Sequence, residues 1–403
     1  MDDFDDVEDP EDEIHVDSSE RAFLASADWT VETLLDQLRQ GNIELSPDFQ
    51  RRSVWDDRRA SRFIESIVLG LPIPQLMLAE DKNKPGGFLV LDGKQRLISL
   101  ARFASQLAAG SSTSLSPLRL KGLDQLTELE GLTYQEFKDD PTFSAAVRRF
   151  KNQTIRTVVI AGWPNTDWLN LVFLRLNSGS VPLSGQELRQ ALNPGAFTIA
   201  LNEYSTASVE LQSALGLSAP DFRMRDTELA LRFVAFRMYL NDYAGTLKRF
   251  LDQTTNTLNS NWTLLDDRVQ ETFNLLDMAI KTARIVHGVD AFHRYNGASF
   301  ENRFNRAVFD AQSLIYSIPE ISDAARNHGS ALRDEYVRLC REDRDFAESL
   351  QSTTKSIDAT ATRLSKWAES VGRICNLTFP MPQVVSIDGS RRILWEPLDN
   401  GVR

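Results

Sequence analysis

The sequence predicts an α+β protein, in which a small mixed sheet with helices precedes a mainly α-helical region. Short apolar runs at 75–79, 87–92 and 155–160 have the length and the flanking turn residues of strands. From Asn165 onward, long segments with helical periodicity dominate. The expected parts are an acidic tail at 1–25, a sheet-containing domain at 26–195, a helical domain at 196–380 and a hairpin with a tail at 381–403.

The acidic charge of the chain is concentrated at its beginning. The formal net charge is −12 over 403 residues, but the first twenty residues hold eleven acids and neither lysine nor arginine. The remainder has 46 acids and 45 bases and is nearly neutral. This composition predicts a solvated, disordered tail, with a DNA-mimicking arm as the alternative. A nearly neutral body also leaves DNA open as a partner.

Cysteine content and apolar run lengths indicate a cytoplasmic protein without a membrane partner. Only Cys340 and Cys375 occur, so neither a disulfide framework nor a thiolate zinc site is expected. The acidic N-terminus is the reverse of a basic targeting peptide. Pro72 and Pro74 interrupt the nearest approach to the roughly 18 apolar residues that a membrane span needs.

Two helices are expected early in the sheet-containing domain. The first follows a cap at Ser26 or Asp28 and runs through Leu38. The second runs over 57–69, with Asp56 as its cap and the sequence GLPIP as its end. Its apolar face consists of Ala60, Phe63, Ile64, Ile67 and Val68, and its opposite side carries Arg58, Arg62 and Glu65.

The segment FLVLDGKQRLISL is the strongest site candidate. A strand ending at Asp92 is followed by Gly93 and then by a helical stripe, so that the first helical turn presents N–H groups that suit a phosphate. Arg96 can fork onto phosphate oxygens, Gln95 offers an amide, and Asp92 can hold a divalent ion or orient a water. The alternative is a plain strand–turn–helix junction whose aspartate caps the helix.

A second DG in the chain serves as a comparison. Asp388 and Gly389, followed by Arg391, lie within VVSIDGSRRILW, which reads as a hairpin. No helix N-terminus follows this copy. It therefore lacks the anion-binding property expected at Asp92 and Gly93.

Two further clusters flank the first. PDFQRRSVW supplies Gln50, Arg51 and Arg52 for a phosphate and Trp55 for a base, or else forms a surface loop in which Trp55 joins the core. In RLNSGSVPLSGQELR, Arg175 and Asn177 can line a shared cleft. In the same segment, helix capping alone explains Ser184 and Glu187.

The second half of the chain is expected to be an irregular helical domain. The NPG sequence at 193–195 ends one helix, and no fixed-period repeat is visible. Long amphipathic helices are expected at about 226–241, 261–285, 300–317 and 356–374.

Several classes of enzyme are excluded by missing motifs. The sequence has no HExxH pair, no GxxxxGK[ST] loop and no GxSxG elbow. The four histidines, His15, His287, His293 and His328, are interpreted as solvated surface residues. Carboxylate, amide and arginine chemistry remains, which suits phosphoryl groups and a metal.

Five ordered motifs resemble the N-terminal domain of GmrSD-type restriction endonucleases. They are PDFQRRSVW, IESIVLGLPIP, the strand with DGKQR, RLNSGSVPLSGQELR and RMRDTELALRF, with a weaker echo at NRFNRAVFDAQSLI. The resemblance covers about Asp28 to Tyr239. It implies a ParB/sulfiredoxin-like fold in which a strand–DGQQR–helix corner binds a nucleotide phosphate, coupled to restriction of modified phage DNA.

The resemblance assigns roles to particular residues. The DGQQR motif falls on Asp92, Gly93, Lys94, Gln95 and Arg96, with lysine at 94 where glutamine is usual. The FQR motif falls on Phe49, Gln50 and Arg51, and the RLN motif on Arg175, Leu176 and Asn177. The expected catalytic residues are Asp92, Gln95 and Arg96, and Asp92 is also the expected metal ligand. The expected phosphate-binding residues are Gln50, Arg51, Arg62, Gly93, Lys94, Arg96 and Asn177.

Three hypotheses about function follow. The first is a Mg²⁺- or Mn²⁺-dependent nucleoside-triphosphatase, and a DNA nickase, in a restriction or phage-defence system. Many relatives carry an HNH nuclease domain at the C-terminus. This sequence has no histidine–asparagine–histidine pattern there, because His328 is its last histidine. The second hypothesis is therefore a non-catalytic nucleotide- or DNA-binding module that recruits a separate nuclease subunit. The third is a structural adaptor with a vestigial corner.

Overall fold

The computed structural model describes residues 22–43, 55–82, 84–104, 116–165, 168–169, 171–172, 184–221, 223–351, 356–387 and 390–395. The chain divides into two compact units between Leu183 and Ser184. The described residues before this division are called the N-terminal unit, and those after it the C-terminal unit. Within the described residues, no helix combines the length and apolar character needed to cross a membrane.

A four-stranded mixed sheet organises the N-terminal unit. Its order is β1-β4-β2-β3, in which β4 pairs antiparallel with β1 and parallel with β2, and β2 pairs antiparallel with β3. The strands are β1 (Phe23–Thr30), β2 (Leu76–Glu80), β3 (Phe88–Asp92) and β4 (Thr154–Ala161). The predicted α+β class and the three strands expected from apolar runs are confirmed.

Among the described residues of the N-terminal unit, five α-helices precede β4. They are α1 (Val31–Arg39), α2 (Asp57–Leu69), α3 (Lys94–Ala104), α4 (Tyr134–Asp139) and α5 (Ser144–Asn152). Their apolar faces form one core, in which Leu34, Ile64, Leu97, Leu100 and Phe150 are fully buried. The predicted ends of α2 are confirmed, because Asp56 Oδ1 accepts the Arg59 N–H at 2.8 Å and Gly70 ends the helix in the left-handed region.

The start of this unit differs from the prediction. Residues expected to begin a helix at Ser26 or Asp28 instead belong to β1, and α1 begins only after its N-cap, Thr30. Asp28 caps no helix and pairs with Arg156 on β4, at 3.3 Å. Pairing with β4 over eight residues outweighs the local capping signal, and it also takes residues 23–25 out of the predicted tail. Residues 1–21 lie outside the described residues.

The C-terminal unit is mainly helical, as predicted. Its described helices are α6 (Gly185–Leu192), α7 (Ala196–Ala207), α8 (Val209–Ala214), α9 (Arg225–Tyr239), α10 (Leu247–Ser260), α11 (Trp262–His287), α12 (Arg306–Tyr316), α13 (Pro319–Asn327), α14 (Gly329–Glu342), α15 (Arg344–Ser349) and α16 (Ile357–Cys375). Two hairpins accompany them, formed by β5 (His293–Tyr295) with β6 (Phe300–Phe304) and by β7 (Gln383–Ile387) with β8 (Ser390–Leu394).

Several local predictions for the C-terminal unit are confirmed. Ser184 and Glu187 form the capping box of α6, and the C-terminal hairpin is present on both sides of Asp388 and Gly389, which lie outside the described residues. The helix expected from about residue 300 is wrong over its first turn. There Phe300–Phe304 pairs with β5, and the helix begins after its N-cap, Asn305.

Candidate functional site

The corner between β3 and α3 is shaped by a β-bulge and a glycine. Met77 pairs with Asp92 while Leu78 pairs with Val90, so the register shifts at the end of β3. Gly93 follows with φ +93°, and a Cβ placed on it would overlap Leu76 Cδ2. The backbone angle favours glycine at this position, and an added Cβ would also require the end of the Leu76 side chain to move. A bulge that re-aims a side chain is common beside functional sites.

Helix α3 begins directly after Gly93. The Gly93 carbonyl accepts the Leu97 N–H at 3.0 Å, so Gly93 occupies the N-cap position and contributes no side-chain oxygen there. Lys94 and Gln95 lie in the first turn, and both are partly buried. Because the N-terminus of a helix carries a partial positive charge, the corner has the electrostatics of an anion site.

Arg96 lies one turn into α3 and faces the protein. Its Nη1 donates to the Pro74 carbonyl at 2.6 Å and to the Gln75 carbonyl at 3.2 Å. Its Nη2 donates to Asp92 Oδ2 at 2.8 Å. Only 11% of the Arg96 side chain is exposed. Its guanidinium therefore joins α3, the end of β3 and the residues that precede β2.

Asp92 keeps one carboxylate oxygen available. Its side chain is 42% exposed, and Oδ2 accepts from Arg96. Across the described part of the chain, Oδ1 accepts no hydrogen bond. That oxygen can bind a cation or a water molecule. Among the described residues, no group of three or more His, Cys, Asp or Glu is arranged to hold an ion.

Arg62 contacts a different part of the N-terminal unit. Its Nη2 donates to Asp124 Oδ1 at 2.8 Å and its Nε to the Gly122 carbonyl at 3.3 Å. Arg58 lies against Gly122 on the same side. Asp92, Gly93 and Arg96 thus contact one another, whereas Arg62 pairs with the segment that we call loop 121–126.

Loop 121–126 is held by two carboxylates, and the sequence had given no role to either. Buried Glu65 accepts the N–H groups of Asp124, Gln125 and Leu126 at 3.2, 2.7 and 2.7 Å. Glu130 accepts those of Gly122 and Leu123 at 2.7 and 3.0 Å. Burial opposes ionisation of Glu65, but its three backbone donors keep the pKa of that carboxyl below its ordinary value. The sequence placed Glu65 with Arg58 and Arg62 on the side of α2 opposite its apolar face, and it gave no signal that loop 121–126 would bury this carboxylate.

The other predicted site residues lie outside the described residues. They are Phe49, Gln50, Arg51 and Arg52 of the first flanking cluster and Arg175, Leu176 and Asn177 of the second. Trp55 is described and is partly buried, with its ring edge-on to Phe63 and the Arg59 guanidinium 4.9 Å from its centroid. It packs against the core, as the alternative for this cluster predicted.

The prediction for the histidines is wrong at one position. His287 is fully buried, with Nε2 3.0 Å from the Tyr316 hydroxyl, and burial lowers its pKa to about 3. His293 is partly buried, whereas His328 is exposed as expected. The aromatic groups around His287 come from helices distant in sequence, so the pattern along α11 did not reveal them.

Comparison with known proteins identifies the domain that contains the corner. Residues 31–193 match the family described as GmrSD restriction endonuclease, N-terminal domain. No curated protein and no solved structure matches the chain. The matched residues include β2, β3 and α3, while the RMRDTELALRF motif at 223–233 lies beyond them. Residues 31–193 are therefore a GmrSD restriction endonuclease N-terminal domain, and this domain relates the chain to restriction systems.

Proposed function

We propose that the corner at residues 92–96 binds the phosphates of a nucleoside triphosphate and promotes their hydrolysis within a DNA-restriction or phage-defence system. The observation that carries the proposal is the strand–Gly93–helix geometry inside the matched domain. The glycine allows a ligand to approach the backbone, and α3 directs its N-terminus toward the same place.

Each side chain of the corner has a separate proposed role. Lys94, in the first turn of α3, supplies a positive charge for a phosphate oxygen, and Gln95 supplies an amide. Asp92 orients the attacking water through Oδ1. We further propose that Gln50, Arg51 and Asn177 complete the phosphate site, as the family motifs imply. Arg62 is not part of this proposal, because it pairs with Asp124 of loop 121–126.

Asp92 also fits a role as ligand to Mg²⁺ or Mn²⁺. Such ions are commonly bound by one or two carboxylates together with substrate phosphates, so a single exposed carboxylate oxygen is sufficient on the protein side. The ion, when bound, neutralises charge on the phosphates. We also propose duplex DNA as a partner and a separate nuclease subunit as a second partner.

A non-catalytic binding module is the second candidate. It is favoured by the contact between Asp92 and Arg96, since two chemistry-bearing groups of the corner already bind each other. In that case the nucleotide acts as a switch and stays intact.

The test measures phosphate release from each of the four nucleoside triphosphates, with Mg²⁺ or Mn²⁺, and with and without duplex DNA. Wild type should release phosphate, and Asp92→Ala should abolish release while nucleotide still raises the melting temperature. Asp388→Ala is the matched control, because it alters the other DG, which is followed by β8 and not by a helix. Release that persists in Asp92→Ala would refute the catalytic assignment. A wild type that binds nucleotide for hours without hydrolysis would establish the second candidate.

A further inference from the structure

Two arginines on α3 bind neighbouring segments of the chain, one near each end of the helix. Near the start, Arg96 contacts Asp92, Pro74 and Gln75. Near the end, Arg102 pairs with Asp57 at 2.7 Å and donates through Nε to the Ser116 carbonyl at 3.1 Å. The two side chains are 11% and 12% exposed. The same kind of contact therefore occurs beside the corner and away from it.

The segment that Arg96 contacts is held at its start by the Leu71 N–H, which donates to the Ser66 carbonyl at 2.9 Å, and in its middle by Ile73, which packs against the core. Its end is held by Arg96. Residues 70–75 join α2 to β2, and all except partly buried Ile73 are exposed. Pro72 and Pro74 have no N–H group to donate. The carbonyls of Pro74 and Gln75 accept from Arg96 immediately before β2 begins at Leu76.

The Arg96 guanidinium packs against Gly93. A Cβ placed on Gly93 would lie 3.3 Å from both Nε and Nη2 of Arg96, so the guanidinium packs beneath the turn. To bind a phosphate in front of α3, it would have to leave two carbonyl oxygens and one carboxylate oxygen. The charge of the guanidinium strengthens each of these three hydrogen bonds, so leaving them is unfavourable.

We propose that Arg96 is a positioning residue, which fixes Asp92 and residues 70–75 at the corner and acts on the nucleotide only through them. This proposal rests on the proposed function for its effect on hydrolysis. Its structural part, the attachment of residues 70–75, can be tested without any nucleotide.

The experiment compares Arg96→Met and Arg96→Lys with wild type in the full chain. Amide hydrogen exchange at residues 75–78, measured without nucleotide, should accelerate by about tenfold in Arg96→Met, the change that corresponds to loss of one hydrogen bond to a charged group. The kcat for hydrolysis should fall between about tenfold and a hundredfold, the usual cost of removing a group that orients a reacting residue. KM should change by less than about threefold, because the contacts that bind the phosphates in the ground state remain.

Arg96→Lys separates positioning from direct binding. A lysine retains the charge but cannot bridge a carboxylate and two carbonyls in the fixed geometry of a guanidinium. A positioning role therefore predicts that Arg96→Lys resembles Arg96→Met in kcat and in exchange. A direct phosphate contact predicts instead that Arg96→Lys retains most of the affinity.

Arg102→Met is the matched control. It removes a comparable arginine from the same helix and should accelerate exchange near Ser116, while it leaves exchange at 75–78 and the hydrolysis kinetics unchanged. A raised KM with unaltered exchange at 75–78 in Arg96→Met would overturn the proposal. If wild type neither binds nor hydrolyses nucleotide, the proposed function fails, and the exchange data still decide whether Arg96 attaches residues 70–75. If Arg96→Met does not fold, Arg96→Lys carries the same comparison.

Discussion

The two units of the molecule use their buried charges differently. In the N-terminal unit, Arg96 and Glu65 bind backbone groups of loops beside a helix. In the C-terminal unit, Arg232 of α9 and Asp310 of α12 form an ion pair with side chains that are 1% and 3% exposed. The charges of the N-terminal unit fix the path of the chain around the candidate site. The Arg232–Asp310 pair of the C-terminal unit instead joins two helices inside a core.

A second buried guanidinium of the C-terminal core interacts with Asp310. Arg363 of α16 is fully buried and donates to the Ser349 carbonyl at 2.7 Å and to Thr360 Oγ1 at 2.8 Å, both neutral partners. Burial lowers the pKa of Arg363 to about 10, and attraction to Asp310 opposes that shift. One carboxylate thus serves two buried guanidiniums. The difference between the units predicts where substitutions have large and small effects.

The largest effect is expected for Asp310→Ala. The substitution leaves Arg232 and Arg363 buried without a carboxylate, and breaking a buried pair from one side costs about 3–5 kcal/mol. Urea unfolding, followed by hydrogen exchange in α9 and α12, measures the loss. Exchange in β2 and α3 should not change if the units keep their charge networks separate.

Glu65→Ala should have the next largest effect, and it should be confined to the N-terminal unit. Three backbone N–H groups lose a charged acceptor, and each hydrogen bond to a charged group is worth about 1.5–3 kcal/mol, without full additivity. We expect a total loss of about 3 kcal/mol, read from urea unfolding with exchange at residues 122–126. Glu65→Gln keeps one oxygen acceptor and should lose less. Equal losses for the two variants would show that the carboxylate does not organise this loop.

A smaller, pH-dependent effect is expected from His287. Its pKa of about 3 in the folded protein lies below the ordinary value of 6.5, so the unfolded chain binds a proton that the folded chain does not. The contribution of His287 to stability is fully present above about pH 6.5 and declines as the pH falls toward 3. Between pH 7 and pH 5, the free energy of unfolding should fall by about 2 kcal/mol.

A His287→Gln variant tests that pH dependence. His293, whose pKa burial also lowers, acts in the same direction, so the difference between wild type and His287→Gln isolates the His287 contribution. Denaturant unfolding at pH 7 and pH 5 provides the measurement. Parallel pH profiles for the two proteins would contradict the assignment.

The smallest effect is expected for Arg363→Met, although this side chain is as buried as any in the molecule. Its removal also removes a desolvated charge and its repulsion of Arg232, and apolar replacements of buried charges are often neutral. We expect a change within about 1 kcal/mol of wild type. A loss comparable to that of Asp310→Ala would show that the hydrogen bonds of Arg363 to the Ser349 carbonyl and the Thr360 hydroxyl outweigh its desolvation.

Local signals in the sequence were sufficient for much of the fold. Asp56 and the Ser184–Glu187 pair fixed helix starts because capping needs only neighbouring residues. The strand–Gly93–helix corner was predicted because a strand, a glycine and a helical stripe follow one another within twenty residues. The error at β1 occurred where pairing with the distant strand β4 decided the outcome, whereas at β6 a local hairpin with β5 outweighed the helical periodicity.

The sequence by itself determined the α+β class, the order of the main elements, the position of the corner and its resemblance to the GmrSD N-terminal domain. These depend on periodicity, capping and ordered motifs, all of which are local. Only the tertiary structure decided the partners of Arg96, the burial of Glu65 beneath loop 121–126 and the burial of His287. Each of these depends on groups brought together from distant parts of the chain, where burial and hydrogen bonding cannot be inferred from spacing.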